Sequence, residues 1–164
     1  MTIKEFKFQY ALGSISENDL MKIATKTTSK YILTTLSNET WSIRESVANN
    51  PNTPPEVLTK LSTDEDAFVR EFVAENPSTP VEVLTKLSKD KNWDVREIVA
   101  GNPSTPVEVL IKLSKDKKWF VRRCLAENPS TPVEVLIKLS KDSDIDVKNS
   151  AKKALINKYD NKRI

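Results

Sequence analysis

The stretch Val95-Arg96-Glu97-Ile98-Val99-Ala100-Gly101-Asn102-Pro103-Ser104-Thr105-Pro106-Val107-Glu108-Val109-Leu110 carries two apolar stripes separated by a proline-bearing turn, and its parts recur along the chain. Asn-Pro begins at Asn50, Asn76, Asn102 and Asn128, and Leu-Ser at Leu61, Leu87, Leu113 and Leu139, each series with a period of 26. The aliphatic-basic pair keeps the same beat at Ile43-Arg44, Val69-Arg70, Val95-Arg96, Val121-Arg122 and, weakened, Val147-Lys148. Upstream, Tyr31 to Ser37 matches Glu56 to Ser62, so a degenerate unit precedes the five regular ones with one residue deleted. A fixed period of this length is the mark of a repeat architecture.

Each unit reads as two short helices. Thr79-Pro80-Val81-Glu82 and its counterparts at Thr53, Thr105 and Thr131 suggest a helix start, with threonine at the N-cap, proline at the first helical position and glutamate completing a capping box. The preceding helix carries Val69, Phe72 and Val73, or Val95, Ile98 and Val99, or Val121, Cys124 and Leu125 at helical spacing. It must end by Asn-Pro, because proline disfavours helical backbone before it and asparagine tolerates a left-handed exit. Helices this short are unstable alone, so their stripes have to be buried against neighbouring units. The expected fold class is therefore all-α, a solenoid of short helix pairs.

This pattern resembles the variant leucine-rich repeat family over roughly residues 14 to 156. The resemblance implies a right-handed superhelix of paired short helices, similar in shape to HEAT repeats, and brings no uniform activity with it. An iron-sulfur module of the kind a family member carries would need clustered cysteines, and residues 1 to 40 contain none. No cofactor is expected.

The whole chain, 1–164, reads as one repeat domain. Residues 1–13 are an N-terminal lid or tail, 14–37 the degenerate first repeat, 38–143 the regular repeats, and 144–164 a C-terminal capping helix and tail. In the first segment Phe6, Phe8 and Tyr10 alternate, which favours a strand-like lid. In the last, Ile145, Val147, Ala151, Leu155 and Ile156 are expected to face inward, with Lys148, Lys152 and Lys153 outward.

Composition closes off most chemistry. The chain is 38% hydrophobic and 30% charged, with no histidine and one cysteine, Cys124. That excludes Ser-His or Cys-His pairs and any internal disulfide. Cys124 shares its repeat position with Phe72 and Ile98 and reads as a small core residue. No apolar run approaches the ~20 residues that cross a bilayer, and Met1 to Tyr10 lacks a secretion signal, so a cytoplasmic, non-enzymatic monomer is expected.

Positions identical in every unit serve the stack, whereas positions that differ are free to serve a partner. The turn asparagines are expected to bond main chain in adjacent turns. The arginine column, Arg44, Arg70, Arg96 and Arg122, with Lys148 at its end, admits two readings. It is either a cationic stripe for phosphates or carboxylates, or an internal ladder with Asp64, Asp90, Asp116 and Asp142. Trp41, Trp93 and Trp119 share one position, which suits core packing, while Phe68 and Phe120 replace polar residues and suit the surface.

Charge differs by unit. Residues 61–86 hold two basic and six acidic residues, net −4, whereas 113–138 hold six and three, net +3. Lys117, Lys118, Trp119, Phe120, Arg122 and Arg123 form the basic and aromatic constellation of the chain, to which Arg96, Trp93, Phe68 and Lys148 are added as candidate partner-binding residues. The function carried forward is a helical-repeat interaction module that binds a protein or peptide with an acidic segment. The alternative is binding to DNA or RNA backbone through the same basic, aromatic-bearing face.

Overall fold

The structure, a computed structural model, describes residues 1–160; residues 161–164, the end of the expected C-terminal tail, lie outside the described residues. The described residues form twelve helices and no strand. These are α1 (Ile3–Ala11), α2 (Glu17–Lys26), α3 (Lys30–Leu36), α4 (Trp41–Asn49), α5 (Pro55–Leu61), α6 (Ala67–Glu75), α7 (Val81–Leu87), α8 (Trp93–Gly101), α9 (Val107–Leu113), α10 (Trp119–Glu127), α11 (Val133–Leu139) and α12 (Ile145–Asp160). From α4 onward the order repeats a nine-residue helix, an Asn-Pro turn and a seven-residue helix, until α12 extends the last to 16 residues.

The chain divides into two compact units, Met1–Val83 and Leu84–Ile164. In the first, α2, α4 and α6 pack side by side; in the second, α8, α10 and α12 do the same, and α12 also covers α11. Each nine-residue helix buries its aliphatic residues at one spacing: Ile43, Val47 and Ala48; Val69, Val73 and Ala74; Val95, Val99 and Ala100; Val121, Leu125 and Ala126. The seven-residue helices bury a matching triad such as Val57, Leu58 and Leu61, or Val109, Leu110 and Leu113. Burying one such side chain contributes about 1.5 to 3 kcal/mol, so stacking supplies what seven residues of helix lack. Phe72, Ile98 and Cys124 are only half-buried, because the turn leaves them at the margin of this stripe.

The turns are held by side chains. Asn50 Nδ2 donates to the carbonyls of Ala24 and Thr27 at 2.6 and 2.9 Å, and Asn76 Nδ2 to those of Ala48 and Asn50 at 2.6 and 2.8 Å. In the second unit Asn128 Nδ2 reaches Ala100 and Asn102 at 2.7 and 2.9 Å. Each asparagine thus fastens its turn to the turn one repeat earlier. Its backbone is extended, with Asn50 at φ −76° and ψ 121°, rather than left-handed as expected, because the following proline already enforces that geometry.

The threonines also act differently from the sequence expectation. Thr105 and Thr131 are buried and donate their hydroxyls to the carbonyls of Val99 and Leu125, both at 2.6 Å, closing the preceding helix instead of capping the next. Pro54, Pro106 and Pro132 take the N-cap position without a side-chain cap. Glu56, Glu108 and Glu134 remain in the first turn, where they face the positive end of the helix dipole.

The ends correct two further expectations. Residues 3–11 are helical, not strand-like: Thr2 and Glu5 form a reciprocal capping box, and the alternation at Phe6 and Tyr10 is equally an i, i+4 helical spacing. Phe6 is fully buried and stacks on Tyr10, whose hydroxyl donates to Glu39, while Phe8 faces solvent. At the other end α12 buries Val147 and Ala151, but Ile145 and Ile156 are exposed. Each lies about 160° to 180° around the helix from Val147 at 100° per residue, so neither shares its face. No helix among the described residues is long and apolar enough to cross a membrane.

Candidate functional site

The arginine column is engaged within the fold: Arg70 donates to the carbonyls of Asp64 and Glu65, and Arg44, Arg96 and Arg122 each clasp an aspartate. Arg96 donates from Nε and Nη2 to the two oxygens of Asp116, at 2.7 and 3.1 Å, and from Nη1 to the carbonyl of Asp90 at 2.9 Å. Arg122 repeats this with Asp142, at 2.8 Å for both bonds, and with the carbonyl of Asp116 at 2.8 Å. In the first unit Arg44 clasps Asp64 at 2.6 and 2.9 Å. The carboxylate partner lies 20 residues downstream in each case, while the aspartate six residues upstream contributes its carbonyl to Arg96 and Arg122, and the Glu39 carbonyl serves Arg44 at 2.8 Å. Sequence spacing alone pointed to the upstream aspartate, because it could not separate a main-chain from a side-chain acceptor.

These bonds hold the aspartates ionised. Burial pushes Asp116 upward, but hydrogen bonds from Arg96 and the Lys118 N–H, with the nearby guanidinium charges, bring it below its ordinary value. Asp64 follows the same balance. For Asp142 the Arg122 hydrogen bond is the larger effect and lowers it directly. Arg96 and Arg122 are correspondingly raised by their carboxylate bonds. Lys148, at the last position of the column on α12, has no carboxylate partner among the described residues.

The aromatic and basic residues of α8 and α10 come together. The Phe120 ring stacks on Trp119 at 3.7 Å between centroids and on Trp93 at 5.2 Å. Arg123 lies one turn beyond Trp119 and Phe120, and its guanidinium sits 5.3 and 5.7 Å from their ring centres. All three rings are half-buried. Trp41, at the same repeat position in the first unit, is exposed, so the tryptophans do not form the spacer layer that their repetition suggested. Phe68, on α6 of the first unit, is 60% exposed.

Beneath the cluster, Cys124 donates its thiol to Glu97 at 3.1 Å, and Arg123 Nη2 approaches the same carboxylate at 3.9 Å. Burial first, and the Glu97 hydrogen bond second, push the thiol up to about 12, which leaves little nucleophilic thiolate at neutral pH. Arg123 Nε is buried without a hydrogen-bond partner, so its guanidinium is held by stacking as much as by Glu97. The role of Glu97 was not legible in the sequence, since its contact spans one repeat and lacks a recurring partner.

The start of α10 differs from those of α6 and α8. Asp66 and Asn92 cap α6 and α8 by accepting from the N–H two residues on, at 2.8 and 2.9 Å. Lys118 takes that position in α10, makes no side-chain cap and is followed by Trp119 and Phe120 without an acidic residue in the first turn. Lys115, Lys117 and Lys118 are exposed, and no salt bridge engages them among the described residues. Lys117, Lys118, Trp119, Phe120, Arg123 and Trp93 therefore form one patch, whereas Arg96 and Arg122 are committed to aspartates beside it.

A family model, leucine rich repeat variant, matches residues 41–66 and 67–92, two consecutive 26-residue units. Among solved structures, one described as a leucine-rich repeat variant with a novel repetitive protein structural motif is 23% identical, with a TM-score of 0.70. The match covers 91% of this chain and 60% of that one, so the chain spans less than two thirds of its length. An engineered protein is also 23% identical, at a TM-score of 0.51, with coverage of 95% of this chain and 96% of its own. A comparison with curated proteins found no match. At these identities the likeness is one of fold.

Proposed function

We propose that this chain, two consecutive units of which match the leucine rich repeat variant model, is a non-catalytic interaction module that holds an acidic segment of a partner protein on the α10 patch. The observation that supports this most is the conjunction of a rigid aromatic-guanidinium cluster with lysines that have no carboxylate of their own. Aromatic and arginine side chains anchor interfaces because they bring large contact area at little conformational cost. Around them Lys117 and Lys118 add long-range attraction for carboxylates. The uncapped α10 N-terminus adds to the same field.

The same basic surface suits nucleic acid, which is the second reading. Peptide is favoured because Phe120 lies against both Trp119 and Trp93, so the rings engage one another rather than standing as an open platform for bases. Capture from nuclease-treated extract tests the choice, with wild type set against Trp119→Ala/Arg123→Glu. Acidic proteins are expected with the wild type and lost with the variant, both having equal helical circular dichroism. Capture that disappears on nuclease treatment would replace this reading with the nucleic-acid one.

A further inference from the structure

We infer that a depression beside the α10 patch, lined by Lys89, Lys112, Lys115 and Lys117, is a second anchor for a run of carboxylates in the same partner chain. The inference rests on the patch reading above and adds to it a site on the neighbouring turns.

The depression has a volume of about 380 Å³ and lies where the turns after α7 and α9 meet Arg96 and Asp116. Arg96 and Asp116 neutralise each other through their paired hydrogen bonds. The four lysines remain. All are exposed, and none is in a salt bridge among the described residues.

The first unit contains the same depression with its charge balanced. There, a space of about 450 Å³ is lined by Asn38, Arg44, Lys60, Thr63, Asp64 and Glu65. Arg44 is clasped by Asp64. The Lys60 ammonium is engaged locally, donating to the Ser37 carbonyl at 3.0 Å, to Ser37 Oγ at 3.2 Å and to Asn38 Oδ1 at 2.6 Å. In the second unit Lys112 stands for Lys60, but Lys89 replaces Asn38, Lys115 replaces Thr63 and Lys117 replaces Glu65. These replacements remove one of the three acceptors of the lysine, the Asn38 amide oxygen, remove one carboxylate and add three ammonium groups. The scaffold of the depression is retained while its self-neutralisation is lost.

An unbalanced cluster of ammonium groups lowers its own repulsion by taking up anions. Lysines present separate point charges rather than rigid forks, which suits several carboxylates on a flexible chain. Lys117 lines the depression and lies two residues before Trp119, so a single acidic segment can extend from the depression to the aromatic cluster.

The test measures fluorescence anisotropy of a short fluorescein-labelled oligoglutamate peptide on the full chain. Lys89→Asn/Lys115→Thr gives two walls of the depression the first unit's residues, and Phe120→Ser probes the patch. Roughly tenfold weaker binding by the double variant, at unchanged helical circular dichroism, is expected from the loss of two cooperating charges. Unchanged binding by the double variant with weaker binding by Phe120→Ser overturns the second anchor and leaves the patch. Unchanged binding by both overturns the patch reading as well. Stronger capture of a single-stranded oligonucleotide of equal charge, lost in the double variant, overturns the commitment to a peptide.

Discussion

Met1–Val83 and Leu84–Ile164 are built on one repeat and carry opposite charge. The first holds eight basic and twelve acidic residues, net −4; the second holds eighteen and eleven, net +7. Their buried aliphatic positions, Asn-Pro turns and arginine-aspartate clasps are the same. What differs lies on the turns and at the helix starts: Lys118 in place of Asp66, Lys89 in place of Asn38, Lys117 in place of Glu65. The contrast separates two kinds of position. Those that must satisfy buried main chain stay constant, while those in water vary in charge.

The largest effect should come from the constant class. Asn50→Ala and Asn128→Ala each remove a buried amide that donates to two carbonyls, leaving those acceptors without their donor. Each should cost about 2 to 4 kcal/mol in urea unfolding. Trp41 reports on the first unit when Trp93 and Trp119 are replaced by phenylalanine, and those two report on the second when Trp41 is replaced. If each asparagine lowers only its own unit's transition, the two units unfold separately. If both signals move together, the array unfolds as one. A cost below about 1 kcal/mol at either site would show that water reaches the freed carbonyls.

Next in size is the clasp. Asp64, Asp116 and Asp142 have folded-state values held below their ordinary range, so each binds fewer protons folded than unfolded. Their stabilisation is complete above the unfolded value, near pH 4, and is lost as pH falls through the lower folded value. Asp116→Asn should cost about 2 kcal/mol at neutral pH and flatten the acid limb of the stability profile, with Asp64→Asn doing the same in the first unit. An acid limb that keeps its slope in both variants would show that other carboxylates govern acid unfolding.

The same contrast accounts for what was legible in the sequence. Helix pairing, the period and the asparagine bonds could be read because each copy repeats them, so the repeats serve as controls on one another. The threonine hydroxyl could not be placed, since Thr-Pro-x-Glu satisfies a helix-start pattern equally well whether the hydroxyl faces forward or back. Phe6 and Tyr10 misled for a related reason: alternation over five residues includes an i, i+4 pair, and the Thr2 to Glu5 box decides for helix. Of the candidate site, the cluster of Trp119, Phe120 and Arg123 was legible because it lies within one helix turn. Trp93 was named by its repeat position rather than by contact. The depression was not legible: Lys89 and Lys112 are far apart in sequence, and it emerges only when the two units are compared wall by wall.

The smallest effect concerns a single position where the second unit departs from the first without any gain in packing. Gly101 ends α8, at the place of Asn49 and Glu75 in the first unit and Glu127 in α10. Its backbone does not need glycine, since Gly13 alone among the glycines has a positive φ, and a Cβ at Gly101 would meet nothing within 4 Å. Gly101→Ala should therefore stabilise the second unit by about 0.5 to 1 kcal/mol, through reduced freedom of the unfolded chain and better helix propensity. Binding by the lysine-lined depression should be unchanged, because the substitution alters no charge. A loss of stability would mean that the end of α8 samples a conformation reserved for glycine, and a change in affinity would link that motion to the Asn102 turn that follows.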